Sequence, residues 1–246
     1  MAGELLSYRM SHSRHSHELA VCKRLARPGS TAVDVGAYVG TFAVALSRSV
    51  GRTGTVFAFE PQRELYEQLR NATWATRVIP MNVALSSHSG PAVFSVPVDE
   101  SSGLAPAQGS LEPQRFSAQT VQNEVRTLRL DDLLGPAEEV SMMKIDVEGH
   151  EWSVLEGAKG VIATHRPALV VEIEQRHIGS RTVADVVRDI CELGAYRCEY
   201  ILDRQLLPWS NFDVDRDQLQ WIDDNGRTRA TFDVGAYVNN FVFTRK

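Results

Sequence analysis

The stretch Thr31-Ala32-Val33-Asp34-Val35-Gly36-Ala37-Tyr38-Val39-Gly40 decides the fold: an apolar run closes on an acid and a glycine-rich turn, then yields to the helical periodicity of Thr41-Phe42-Ala43-Val44-Ala45-Leu46. A second apolar run, Thr55-Val56-Phe57-Ala58-Phe59-Glu60-Pro61, follows a Gly51 to Gly54 turn and also ends in an acid. Strand, turn, helix and strand make one βαβ unit. Pro61 opens a helix over 62–73 with Leu65 and Leu69 on one face, and Val78 to Leu85 reads as a third strand. The alternation predicts a parallel sheet with right-handed crossovers.

Working outward, residues 18–27 have apolar positions at helical spacing until Pro28-Gly29 stops them. Residues 86–130 break the rhythm: Ser, Gly, Pro and Gln dominate 99–114, while Ala92 to Val96 and Val121 to Leu130 read as short edge strands. Regularity returns with a strand over Val140 to Val147, a helix from His150 to Thr164, a strand over Pro167 to Glu174, a helix over 181–193 ending at Gly194, a strand over Arg197 to Leu202 and a last strand at Asn240 to Thr244. One α/β domain over 1–246 is expected. It has a Rossmann-like, seven-stranded, mostly parallel sheet with helices on both faces, and the segments 86–130 and 203–239 are excursions over its active-site end.

In such a sheet, ligands bind beyond the carboxyl ends of the strands. Asp34, Glu60, Asn82, Asp146, Glu172 and Glu174 collect there. A carboxylate closing the second strand can accept both hydroxyls of a ribose, which suggests a nucleoside cofactor. The turn lacks G-x-G-x-x-G, and an acid two residues before its first glycine would repel a pyrophosphate. That acid suits a molecule carrying an ammonium and a sulfonium instead, namely S-adenosylmethionine. No phosphate-binding loop with its lysine is present.

Lys and Arg number 26 against 31 Asp and Glu, and a net charge of −5 offers no basic field for nucleic acid. Cys22, Cys191 and Cys198 have no metal-type spacing and an odd count, which favours reduced thiols and a cytoplasmic location. No apolar run is long enough for a membrane span.

Met142-Met143-Lys144-Ile145-Asp146-Val147-Glu148-Gly149-His150-Glu151-Trp152 and its continuation to Ala158 resemble the signature of the FkbM-type methyltransferase family. Val33 to Gly40, Ala58-Phe59-Glu60-Pro61, Asn82 to Leu85, Thr127 to Leu134 and Pro167 to Glu172 agree in order, so the resemblance covers about residues 28 to 175. It implies a class I methyltransferase sheet with an antiparallel last strand, S-adenosylmethionine as donor, and O-methylation of a sugar, polysaccharide, glycolipid or glycosylated natural product. Carried over, Asp34, Gly36 and Gly40, with Tyr38 in the turn between the glycines, would line the methionine end. Glu60 would hold the ribose, Asn82 would face the adenine, and Asp146 would close the site.

Methyl transfer is an in-line displacement, so positioning supplies most of the rate, and an alcohol acceptor must lose a proton. His150, beside Asp146, is the first candidate for the base and Glu148 the next, with Glu174 or His177 as the alternative; His150 could equally open a helix and face solvent. Asp146, Glu148 and Glu172 could offer oxygens to Mg²⁺, a reading not favoured, and no metal ligand set is assigned. His12, His15 and His17 lack partner cysteines and read as a solvated segment. Trp209 and Trp221 could stack on a sugar, or pack a lid or a homodimer contact. Asp34 to Val39 recurs as Asp233 to Val238 without a following helix, and reads as coincidence. A nicotinamide-dependent oxidoreductase and a non-catalytic cofactor-binding interaction module are the competing functions.

Overall fold

The computed structural model describes residues 17–99, 103–112, 119–203, 205–223 and 237–246. The imidazoles of His12 and His15, and most of the repeated hexapeptide at 233–238, lie outside them.

Helix α1 (17–25) precedes strand β1 (Thr31–Val35), helix α2 (Thr41–Val50), β2 (Thr55–Phe59), α3 (Arg63–Thr73) and β3 (Val78–Met81). A second group follows: β4 (Ala84–Leu85), β5 (Gly90–Asp99), β6 (Gly103–Leu104) and β7 (Thr120–Leu128). The chain then runs through α4 (Leu130–Leu133), β8 (Val140–Ile145), α5 (Glu151–Gly157), α6 (Lys159–His165), β9 (Ala168–Glu172), α7 (Val183–Gly194), β10 (Tyr196–Leu202), β11 (Gln205–Pro208), α8 (Val214–Asp217) and β12 (Asn240–Arg245). No helix among the described residues is long and apolar enough to cross a membrane.

The large sheet runs β11-β10-β12-β9-β8-β1-β2-β3. Five of its strands are parallel to their neighbours, and β12 lies antiparallel between β9 and β10. The seven expected strands are therefore joined by an eighth. Leu202 turns back through Asp203 so that Gln205–Pro208 adds β11 as a hairpin on β10. Strand β1 is buried throughout, as is β8, because helices cover both faces. Even-numbered Ala32, Met142 and Val170 pack under α1 and α2 with Cys22, Phe42 and Leu46; odd-numbered Val33, Met143, Ile145 and Val171 pack under α5, α6 and α7.

Two expected elements are divided. The strand read over Val78 to Leu85 breaks at Asn82, whose side-chain amide donates to the carbonyls of Glu60 and Pro61 (both 2.9 Å), and Ala84–Leu85 leaves to pair with β7. The helix read over His150 to Thr164 breaks at Ala158. Gly157 lies so close to the Ser86 carbonyl that a Cβ would stand 2.0 Å from it, and the Asp131 carboxylate accepts from the N–H groups of Gly160 and Val161 (both 2.9 Å), starting α6 anew. The first edge strand of the 86–130 segment is longer than read, Gly90–Asp99 against Ala92 to Val96, while the second, Thr120–Leu128, matches its reading to within two residues at either end. Strands β5 and β7 pair over eight positions in a separate sheet, β4-β7-β5-β6. This small sheet stands at the carboxyl ends of β1, β2 and β8 and brings residues 107–112 over them.

Candidate active site

A cavity of about 410 Å³ opens beyond those strand ends, within the size range of small-molecule sites. One wall is the turn Val35-Gly36-Ala37-Tyr38 with Glu60; the opposite wall carries Phe94, Ala107, Gly109 and Leu111 from the small sheet; Lys144, Asp146, Glu148, His150 and Glu172 complete it.

The turn is built by backbone contacts. The N–H groups of Gly36 and Ala37 both donate to the Phe59 carbonyl (3.1 and 2.9 Å), and the Asp146 N–H donates to the Val35 carbonyl (3.1 Å). A Cβ on Gly36 would lie 1.9 Å from the Asp146 carbonyl oxygen, and the residue holds a φ of 79°. Only glycine fits there. Tyr38 also has a positive φ, and its N–H donates to Glu60 Oε2 (3.1 Å). Glu60 Oε1 accepts from the Gln62 N–H (2.9 Å). The Gln62 side chain donates as well, which leaves part of the carboxylate's acceptor capacity for a ligand. Burial pushes the Glu60 carboxyl up to about 7, against the pull of those two N–H groups.

Asn82 is absent from the cavity wall. Its amide clamps the backbone of Glu60 and Pro61, so it acts on the site through that loop. Gly40 begins α2 at a φ of 96° and packs against Leu69, behind the turn.

Asp34 lies beneath the floor, fully buried and off the cavity surface. Its register partner on β8 is Lys144, and both point to the α1 side of the sheet. Among the described residues no well-formed hydrogen bond reaches either Asp34 oxygen, and although Lys144 and the Ala43 N–H pull the other way, burial raises the carboxyl to about 6. Lys144, itself buried, places Nζ 2.8 Å from Asp146 Oδ2, 3.8 Å from Glu18 Oε1 and 4.5 Å from the centre of the Phe42 ring. Burial disfavours its charge, but Asp146, Glu18 and Asp34 outweigh that and hold the ammonium charged. Burial lifts Glu18 to about 7. One lysine thus serves three carboxylates, and sequence reasoning missed it. A lysine in the apolar run Met142-Met143-Lys144-Ile145, beside an equally lone acid in Val33-Asp34-Val35, was the available signal.

The carboxylates of Asp146, Glu148 and Glu172 offer oxygens all within 4.8 Å of one another. Burial and the neighbouring Asp146 push the Glu172 carboxyl well above the ordinary range, and the Asn239 amide donates to it. Glu148 adopts a φ of 57° in a turn whose Gly149 N–H donates to Glu151 Oε1 (2.9 Å), and Glu148 Oε2 is 3.4 Å from His177 Nδ1. Glu174 is off the cavity wall. Burial works against its charge, but Arg176 and His177 hold it below the usual range, and the Tyr237 hydroxyl donates to it (2.6 Å). That set of partners does not suit a base for an acceptor in the cavity.

His150 is on the wall and 8% exposed, so the solvent-facing alternative does not hold. Nδ1 lies 2.7 Å from Glu112 Oε1 and Nε2 lies 3.0 Å from Ser86 Oγ. Neither partner was foreseen, since both come from the irregular 86–130 segment. Trp209 stacks on Phe212 at 5.0 Å and meets Phe241 edge-on, which spends its face in the core; Trp221 donates Nε1–H to the Arg216 carbonyl (3.1 Å).

Comparison with known proteins agrees with this architecture. The methyltransferase FkbM domain family matches residues 34–200. The hexuronic acid methyltransferase AglP of Haloferax volcanii is 35% identical over 128 residues, 50% of this chain and 48% of the relative, so the chain spans about half the length of the curated relative it matches. A methyltransferase FkbM from Methylobacillus flagellatus, known from its crystal structure, shares the α/β fold with a TM-score of 0.53 at 16% identity, over 88% of this chain and 44% of that one.

Proposed function

This chain belongs to the methyltransferase FkbM family, and from that premise we propose that it moves a methyl group from S-adenosylmethionine to a hydroxyl of a sugar, a glycolipid or a glycosylated natural product. The observation that carries the donor is Glu60, a buried carboxylate on the cavity wall, braced by the Tyr38 and Gln62 N–H groups and the Gln62 side chain, and placed where a strand-end acid can accept from ribose hydroxyls. The donor set fits the whole molecule. Asp146, Glu148 and Glu60 give the wall a negative balance that suits a cation, and Phe59, Leu85 and Phe94 give it apolar surface. The sugar acceptor is supported by the printed activity of the relative from Haloferax volcanii.

S-adenosylmethionine, when bound, supplies a methyl group on a positively charged sulfur. The chain's own part is to hold, orient and deprotonate. Glu60 holds the donor's ribose and the Gly36 to Tyr38 turn lines its methionine end; Asp146, 2.8 Å from the Lys144 ammonium, closes the site; His150 takes the proton that the acceptor hydroxyl must lose. Family membership favours this reading over a nicotinamide oxidoreductase.

Calorimetry with S-adenosylmethionine and with S-adenosylhomocysteine tests the donor. Both bind the parent, and Glu60→Ala weakens both; equal affinity in the variant removes Glu60 from the site. Incubation with radiolabelled donor and a panel of glycosides and uronic acids tests the acceptor. Label in no hydroxyl compound, with the donor still bound, returns the chain to a cofactor-binding module.

A further inference from the structure

Both nitrogens of His150 are engaged, and by residues of the same insertion. Glu112 reaches Nδ1 and Ser86 reaches Nε2, with the ring nearly buried between them. An ionised carboxylate can only accept, whereas a hydroxyl can donate. A neutral ring therefore satisfies both contacts in one way: Nδ1–H donates to Glu112, and the Nε2 lone pair accepts from the Ser86 hydroxyl.

Glu112 does not wander into this position. Its N–H donates to Ser110 Oγ (3.1 Å), and the Ser110 hydroxyl donates to the Glu148 carbonyl (2.8 Å), two residues before His150. Ser110 is also tied to β5 by paired backbone hydrogen bonds with Ser95, both 2.9 Å, and the two serines are completely buried. The small sheet thus delivers a carboxylate to a fixed point beside the imidazole, and grips the turn that carries the imidazole at the same time.

We propose that Glu112 is a positioning residue of the methyl-transfer site: through the Nδ1 contact it fixes the plane and tautomer of His150, so that the Nε2 lone pair is the one offered to an acceptor hydroxyl, with Ser86 as its partner until that hydroxyl arrives. The proposal rests on the reading of the cavity given above. In the transfer, the acceptor's proton moves to Nε2, the ring then holds both protons, and the Glu112 carboxylate faces the new positive charge across the Nδ1–H bond. Glu112 touches neither donor nor acceptor. Its effect passes through His150.

The test reads the imidazole directly, in the full chain labelled with ¹⁵N-histidine. Long-range proton–nitrogen spectra, with the His150 signals identified by their loss in His150→Gln, report which nitrogen carries the proton in the neutral ring. The parent shows the proton on Nδ1. Glu112→Ala moves it wholly or partly to Nε2, Glu112→Gln, which keeps an acceptor oxygen, retains Nδ1–H in a larger share of molecules, and S-adenosylhomocysteine binds all three proteins equally. A parent protonated on Nε2, or an unchanged Nδ1–H signature in Glu112→Ala, overturns the proposal. A parent that fails to bind S-adenosylhomocysteine overturns the donor reading, and the tautomer result still decides the role of Glu112 toward His150.

Discussion

With Glu60 at the donor's ribose, as proposed, its elevated carboxyl would make donor binding depend on pH, and the size of the effect follows from the structure. Burial holds the group at about 7 in the unliganded protein, so it is largely neutral in mild acid. Ribose hydroxyls donate to the ionised form and stabilise it, which means that the neutral carboxyl sheds its proton when the nucleoside binds. Affinity accordingly rises with pH up to about 7 and levels off above it. At about pH 5.5, some 1.5 units below the carboxyl's value, only about 3% of the protein carries the charged form, and the affinity is about 30-fold weaker than at about pH 8, or about 2 kcal/mol. Calorimetry of S-adenosylhomocysteine in buffers of different ionisation enthalpy counts the protons as well as the affinity: release approaches one proton per site in mild acid and vanishes well above pH 7. Glu60→Gln binds more weakly but with a flat profile. A parent whose affinity is the same at both pH values, or a Glu60→Gln that keeps the slope, refutes the assignment of this carboxyl to the ribose.

Three further outcomes follow from the floor of the cavity. Gly36→Ala combines about 1–2 kcal/mol of left-handed backbone strain with a Cβ driven into the Asp146 carbonyl, and lowers stability in urea by at least about 3 kcal/mol; a loss under about 1 kcal/mol would show that β1 and β8 separate easily. Lys144→Met strands Asp146, Glu18 and Asp34 without their cation and costs about 3–5 kcal/mol near pH 8, less near pH 5 where protons replace the lysine; a deficit independent of pH contradicts the shared-cation arrangement. In the parent, Glu18, Glu60 and Glu151 are raised to about 7 and Asp34 to about 6, so their contribution to stability is complete below the unfolded carboxylate range and is lost as pH rises through those values. The urea midpoint of the unliganded protein is therefore higher near pH 5 than near pH 8, and the reverse order would contradict the burial of these groups.

The parallel core was legible because its strands are short apolar runs bounded by turns, and because the acids that end β1 and β2 sit at a fixed place in a βαβ unit. The antiparallel last strand came with the family resemblance. Strand β11 was not legible, since Gln205-Leu206-Leu207-Pro208 carries too little pattern and exists only because β10 offers it an edge. The division of the helix at Ala158 depends on Asp131 and Ser86, which are distant in sequence, and helical periodicity alone runs straight through it. In the site, Glu60 and His150 stand on the cavity wall where strand ends predict them. Asp34 does not, because it is the fourth residue of a five-residue strand and its side chain follows the pleat to the α1 side. Glu112 and Ser86 carry no local signal at all; a tertiary contact chooses them.

The cavity is bounded by surfaces from two different sheets, and they answer to different constraints. The Gly36 and Glu60 side is locked by strand register, where one added methyl group collides with backbone, while Phe94, Ala107, Gly109 and Leu111 hang from a hairpin that the large sheet does not need for its own pairing. Exchanging residues 86–128 between homologues would recut the Phe94 and Leu111 side of the chamber and, through Ser86 and Glu112, reset His150, while the register-locked Gly36 side keeps its shape.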